Sequence, residues 1–242
     1  MRGVRRGMGA ILRPIYVAGL RKRASPFKRK VIAGGMWLCA YHRIDGYHLV
    51  REYSVIDLSL VRSADSPYTQ PYGIGGSITV IWHVDADNYN VYELSVTDFS
   101  VVRSKDLSPM VPVGIGGKDD VIWFADAYEY VVGELSVTDF SVVRTAPAPD
   151  IYGTPKGIGG TSNVIWYGNM ENGGIYELSV TDFSVIRHAP TPDGCGGGVG
   201  GDEDTIWLAE RETQHLYELS PLDFSAVRMG DLDVFPSGAG GG

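Results

Sequence analysis

The chain has 242 residues, 44% of them apolar and 21% charged, a composition that suits one folded domain. Its formal net charge of −8 is unevenly spread: residues 1–30 hold ten of the 21 Lys and Arg and none of the 29 acids, so residues 31–242 carry a net −18. An acidic body argues against nucleic acid as its ligand, no run reaches the roughly 18 apolar residues of a membrane helix, and two cysteines, Cys39 and Cys195, make neither a disulfide framework nor a zinc pattern.

In chain order, the first element is the basic segment at 1–30. Its charges are Arg2, Arg5, Arg6, Arg13, Arg21, Lys22, Arg23, Lys28, Arg29 and Lys30. A basic start followed by apolar residues is a weak signal-peptide pattern, and Arg13 and Pro14 interrupt it. We read residues 1–30 as an arm and 31–242 as a separate repeat body.

The body opens with IAGG at 32–35, and EYSVIDLSL follows at 52–60. GIGG comes next at 73–76, then Trp82, then ELSVTDFSV at 93–101. The same order returns as GIGG at 114–117, Trp123 and ELSVTDFSV at 134–142, and again as GIGG at 157–160, Trp166 and ELSVTDFSV at 177–185. A last copy reads GVGG at 198–201, Trp207 and ELSPLDFSA at 218–226. Asp57, Asp98, Asp139, Asp182 and Asp223 are therefore spaced by 41, 41, 43 and 41 residues. Arg62, Arg103, Arg144, Arg187 and Arg228 keep the same frame, and Tyr41 stands where the first copy lacks the tryptophan.

Each unit reads as four short strands. In the second copy these are 72–76, 79–84, 91–96 and 99–103, apolar and β-branched runs bounded by turn residues. Four strands in about 41 residues, repeated in tandem without a helical period, describe an all-β propeller of five complete four-stranded blades. Glycine pairs allow close backbone approach near the axis, and each Trp supplies apolar area between blades. Asp in TDFS can accept backbone N–H bonds in a turn. Glu93 and Arg103 share a face if the intervening loop has three residues and oppose each other if it has two. The chain ends in a further GAGG at 238–241, redundant in a plain ring of five. It raises the alternative of a composite partial sixth blade made from both ends.

The stretch PYGIGGSITVIWHVDADNYNVYELSVTDFSVVR at 71–103 resembles the NHL-type repeat of six-bladed propellers. The resemblance extends over residues 31–242 and implies the fold. Gly-His and Trp-Asp dipeptides of WD40 blades are missing from it, and Trp precedes Tyr, opposite to the kelch order.

A catalytic site is expected where a repeat is broken, so the recurring Asp, Glu, Arg and Trp read as framework. Asp85, Asp126, Asn169 and Glu210 share one position, three after each Trp, and with Tyr72, His83 and Tyr152 they are the candidate ligand-binding residues. Repeated sites of this kind would suit a multivalent, lectin-like glycan binder. The same oxygens invite comparison with the calcium site of six-bladed lactonases, although turns related by symmetry should point outward. Histidine spacing offers no zinc motif, and G-x-G-x-x-G at 196–201 precedes a strand, so neither metal nor cofactor is expected. The reading is a non-enzymatic structural or interaction propeller with a protein partner. Self-assembly into a ring or filament through the basic arm or an open blade is one form of it, and a calcium-dependent hydrolase is the further alternative.

Overall fold

The computed structural model describes residues 35–41, 48–149, 155–169, 173–194 and 197–241. The arm residues, Tyr152, Cys195 and the boundary between residues 30 and 31 lie outside them.

Among the described residues, twenty strands form five antiparallel sheets of four. The chain begins with β1 (Gly35–Tyr41), β2 (His48–Ser54) and β3 (Leu60–Asp65). The second blade comprises β4 (Pro71–Gly76), β5 (Ile81–Asp85), β6 (Asn90–Leu94) and β7 (Val101–Asp106). The third comprises β8 (Pro112–Lys118), β9 (Val121–Asp126), β10 (Val131–Leu135) and β11 (Val142–Pro147). The fourth comprises β12 (Pro155–Gly160), β13 (Ile165–Asn169), β14 (Gly174–Leu178) and β15 (Val185–Pro190). The fifth comprises β16 (Gly198–Gly201), β17 (Ile206–Glu210), β18 (His215–Leu219) and β19 (Ala226–Asp231), after which β20 (Phe235–Gly241) ends the described chain. Strands within a blade are termed a to d from the axis outward.

The terminal GAGG is not redundant. It lies in β20, which pairs with β1 as strand a of the first blade, in the order β20-β1-β2-β3. The composite blade therefore exists, but it is one of five and closes the ring, and the alternative of a sixth is corrected. Gly35, the last residue of IAGG, begins strand b instead of ending strand a. Trp37, not Tyr41, pairs with Glu52 as Trp82 does with Glu93, so the first copy has its tryptophan after all. Glycine-rich composition at 32–35 imitated the inner strand; backbone pairing assigns that role to the chain's other end.

Packing at the axis explains the glycines. A Cβ on Gly116 would stand 2.6 Å from the Cα of Gly159, and one on Gly75 would stand 2.6 Å from that of Gly116. Gly159 meets Gly200, Gly200 meets Gly240, and Gly240 meets Gly75, so backbone touches backbone around a closed circle. No space for a water molecule remains between these strands. The following residue, Gly117, has φ of +132° and turns the strand outward, a conformation that L side chains rarely adopt.

Between blades a second five-fold device operates. In the second blade the loop between strands c and d holds four residues, Val96 to Phe99, closed by bonds from Ser95 N to Ser100 O and from Phe99 N to Ser95 O. It is neither the two- nor the three-residue loop considered above. A bulge after Glu93 brings Glu93 and Arg103 into direct register, and Arg103 Nε donates to Glu93 Oε2 at 2.5 Å. The remaining nitrogens of Arg103 donate to the Thr138 and Val137 carbonyls of the next blade at 2.5 and 2.6 Å. Its guanidinium lies 4.3 Å from the ring centroid of Phe140, and Trp82 meets the same ring edge-on at 5.8 Å. The chain closes on itself when Arg228 bonds the Ile56 and Val55 carbonyls.

Phe140 pays for its place with a φ of +57°, and Phe99, Phe183, Phe224 and Leu58 do likewise. The left-handed conformation costs roughly 1–2 kcal/mol, whereas burying the ring contributes about 1.5–3 kcal/mol before the aromatic and cationic contacts are counted. Burial wins, and the motif keeps Phe where a turn alone would prefer Asn or Gly. Asp139 accepts from both the backbone and the hydroxyl of Ser141, at 3.0 and 2.7 Å, which shapes the turn.

Two outcomes follow. Gly116→Ala is expected to cost on the order of 3 kcal/mol or more in chemical denaturation, because its Cβ meets backbone that cannot yield. The Ser141 hydroxyl and backbone hold the fully exposed Asp139 carboxyl down at about 2. Its contribution is present above the ordinary aspartate range and is lost as pH falls through about 2, so a carboxyl-detected NMR titration should place Asp139 well below an ordinary aspartate, and Ser141→Ala should raise it part of the way back, the Ser141 backbone N–H and Ser136 remaining.

Candidate functional site

The loops between strands d and a and the turns between b and c share one face. Pro71 at the start of β4 pairs with Asp85 at the end of β5, and Asn90 at the start of β6 pairs with Asp106 at the end of β7. All candidate ligand residues within the described part belong to this loop face.

Beneath its surface lies a layer of structural caps. Asp85, Asp126, Asn169 and Glu210 are all completely buried. Asp85 Oδ1 accepts from the backbone of Asp87 and Asn88 at 3.0 and 3.1 Å, and Oδ2 accepts from Gln70 N at 2.9 Å. Asp126 repeats the pattern with Tyr128, Glu129 and Val111. One carboxylate thus ties the b–c turn to the incoming loop, inside its own blade. His83 is also fully buried, and its Nδ1 donates to the Gly73 carbonyl at 2.9 Å. Burial pulls this imidazole down to about 4, so it is neutral near pH 7.

Variation between blades is concentrated in two places. In the fifth blade, Asp193 in the loop before strand a accepts from Tyr217 at 2.8 Å and lies 2.7 Å from His215 Nδ1. Burial, opposed by these hydrogen bonds and one from Thr213, leaves the Asp193 carboxyl well below the ordinary range. Burial, reinforced by the neighbouring Asp193 charge, pushes Glu210 up to about 7. Elsewhere the same strand c position holds Tyr92, stacked on Tyr68 at 4.6 Å, or Arg51, paired with Asp233.

The axial mouth is the second place. Strand a carries a β-bulge immediately before its first glycine in β4, β8, β12 and β20. The extra residues are Tyr72, Val113, Lys156 and Ser237, four different side chains on an otherwise uniform frame. Bulges re-aim side chains and commonly occur beside functional sites. Lys156 is 8% exposed, and its ammonium lies 4.9 Å from the Tyr72 ring centroid. Blades two and four are not neighbours, so this contact crosses the axis above the glycine circle. Ser237 Oγ donates to the Pro71 carbonyl and contacts the buried free thiol of Cys39 at 3.4 Å. Burial raises that thiol to about 12, which leaves it protonated and unreactive.

Of the sequence candidates, the structure brings Tyr72 to this mouth and sets His83, Asp85, Asp126, Asn169 and Glu210 below the loop face; Tyr152 lies outside the described residues. Lys156, Asp193, His215 and Tyr217 were not singled out. The signal that marks Lys156 is positional: the residue before GIGG varies while the motif does not.

This architecture defines a five-bladed β-propeller, and solved β-propeller proteins resemble it in fold. A glutaminyl cyclase from Myxococcus xanthus matches with a TM-score of 0.56 and 12% identity over 67% of this chain and 70% of that one. The structure of a nidogen/laminin complex matches with a TM-score of 0.58 and 8% identity over 86% and 98%. A streptogramin B lyase matches with a TM-score of 0.51 and 17% identity over 84% and 72%. At these identities the likeness is one of fold alone, which agrees with the resemblance to propeller repeats. No family model and no curated protein matches the sequence.

Glu210 generates a prediction. Its raised pKa means that the fold favours the protonated form, so its stabilisation is full below about 4.5 and is lost as pH rises through about 7. Glu210→Gln, which mimics the neutral acid and the Asn169 of the preceding blade, should be more stable than the parent at pH 8 and equal to it near pH 4.5, as read from denaturation midpoints.

Proposed function

We propose that this chain is a non-enzymatic interaction propeller that binds protein partners, including further copies of itself, by docking its basic N-terminal segment on an acidic propeller body. The observation that carries this reading is the division of charge, ten basic and no acidic residues in 1–30 against a net −18 in 31–242. Supporting it, the c–d turns display Asp57, Asp98, Asp139, Asp182 and Asp223, one per blade, fully exposed and held ionised by neighbouring serines. Asp119, Asp120, Asp202, Glu203 and Asp204 join them from the a–b turns at the same end of the sheets. Complementary potentials of this kind steer association and set its register. A segment that reaches from one copy to the next makes a head-to-tail contact, which closes as a ring or continues as a filament. The fold itself is compatible with protein binding, since a chain of the nidogen/laminin complex resembles it in fold.

Sedimentation velocity tests this. The full chain should associate at about 20 mM salt and disperse at about 500 mM, where screening is nearly complete. Removal of residues 1–30, or Asp98→Asn with Asp139→Asn and Asp182→Asn, should shift the low-salt population to monomer. A full chain that stays monomeric at low salt and high concentration refutes the reading.

A further inference from the structure

A buried ammonium without a counter-ion is costly, because the interior replaces its hydration poorly. Lys156 is in that position. It is more than nine-tenths buried, and among the described residues no carboxylate lies within ion-pair distance of its Nζ. Its contact is the face of Tyr72, which offers a weak, neutral attraction. Arg211, in the b–c turn of the fifth blade, adds positive potential at the same amine, only partly offset by Glu212. Among the described residues, therefore, a positive charge without an ion-pair partner stands at the axial mouth of an acidic body.

The backbone around Lys156 is built for this placement. Its bulge recurs in the inner strands of four blades, always one residue before the first glycine, so the chain is deformed at one level around the axis. The glycine circle below has no side chains and closes the axis, which gives the mouth a floor of backbone. Above that floor stand an ammonium, an aromatic face and the hydroxyl of Ser237, contributed by the fourth, second and first blades.

We infer that the axial mouth is a binding site for a small oxyanion, a carboxylate or phosphate group, with Lys156 as its charge anchor and Tyr72 as the wall beside it. The anion supplies the counter-charge that the fold withholds. This site is independent of the proposed self-association, which uses the opposite face and the N-terminal segment. Burial holds the Lys156 amine below the ordinary lysine range in the free protein, and a bound anion opposes that effect.

The test uses the full chain with inorganic phosphate and acetate as probes, in chloride buffers of matched ionic strength. Calorimetry should detect saturable binding of at least one of them. ¹³C-dimethyl-lysine NMR should show one amine titrating below the others and moving upward as the probe saturates. Lys156→Met should weaken binding at least tenfold and remove that resonance, while Lys156→Arg retains binding. Preference between the probes distinguishes a phosphate from a carboxylate ligand. Should Lys156→Met fail to fold, the parent chain alone decides, through the NMR shift of the low-titrating amine. Absence of saturable binding of both probes, binding unchanged in Lys156→Met, or an anomalous amine that does not respond to either probe would overturn the inference.

Discussion

Five inner strands around one axis leave room for backbone and for nothing else. Every other feature of this propeller follows from that crowding. Gly75, Gly116, Gly159, Gly200 and Gly240 touch Cα against neighbouring Cα, so the centre of the ring is sealed by main chain. Broader rings of blades can line a channel with side chains. Here the axis offers no side chain below the mouth, and the chemistry is displaced to its rim and to the two faces.

Crowding at the centre also means that blades splay apart toward the outside, where they need a separate tie. The Glu–Arg pair, the two carbonyls it reaches and the Phe held between Arg and Trp meet that need. The device reads one blade's turn with the preceding blade's side chains. That is why the turn is nearly invariant: ELSVTDFSV specifies its own hairpin and the docking surface for its neighbour at once. The first and last copies depart from it where the chain closes. Leu58 replaces Phe, and Arg228 still finds the Val55 and Ile56 carbonyls across the seam. Closure rests on β20, which completes a blade begun by β1 some two hundred residues earlier.

The two faces divide the remaining work. One carries ionised aspartates in every c–d turn and has the symmetry of the repeat. The other carries bulges and loops whose side chains differ from blade to blade. Uniform charge on a symmetric face suits a partner that is itself polymeric or repeated, whereas a single buried lysine suits one small ligand. Beneath the loop face, Asp85 and Asp126 show how a repeated polar residue can look like a binding site and serve as a backbone cap. Three backbone donors converge on each carboxylate, a demand that recurs wherever the same turn recurs.

Repeats and most of the framework residues were legible in the sequence, because a 41-residue period records local demands that every blade repeats. Short strands, tight turns and glycine pairs are local in the same sense. What the sequence left open were relations between distant segments. Whether GAGG began a sixth blade or completed the first depended on a partner strand at the other end of the chain. The misassignment of Tyr41 to the position that Trp37 holds, and the choice of one face or two for Glu93 and Arg103, turned on register and on a bulge. Lys156 stood out least of all, since its one mark in the sequence is a variable position ahead of a constant GIGG. Only the ring carries a residue of the fourth blade across the axis to Tyr72 of the second, and only the packing there buries its ammonium with no carboxylate of the described residues in ion-pair reach.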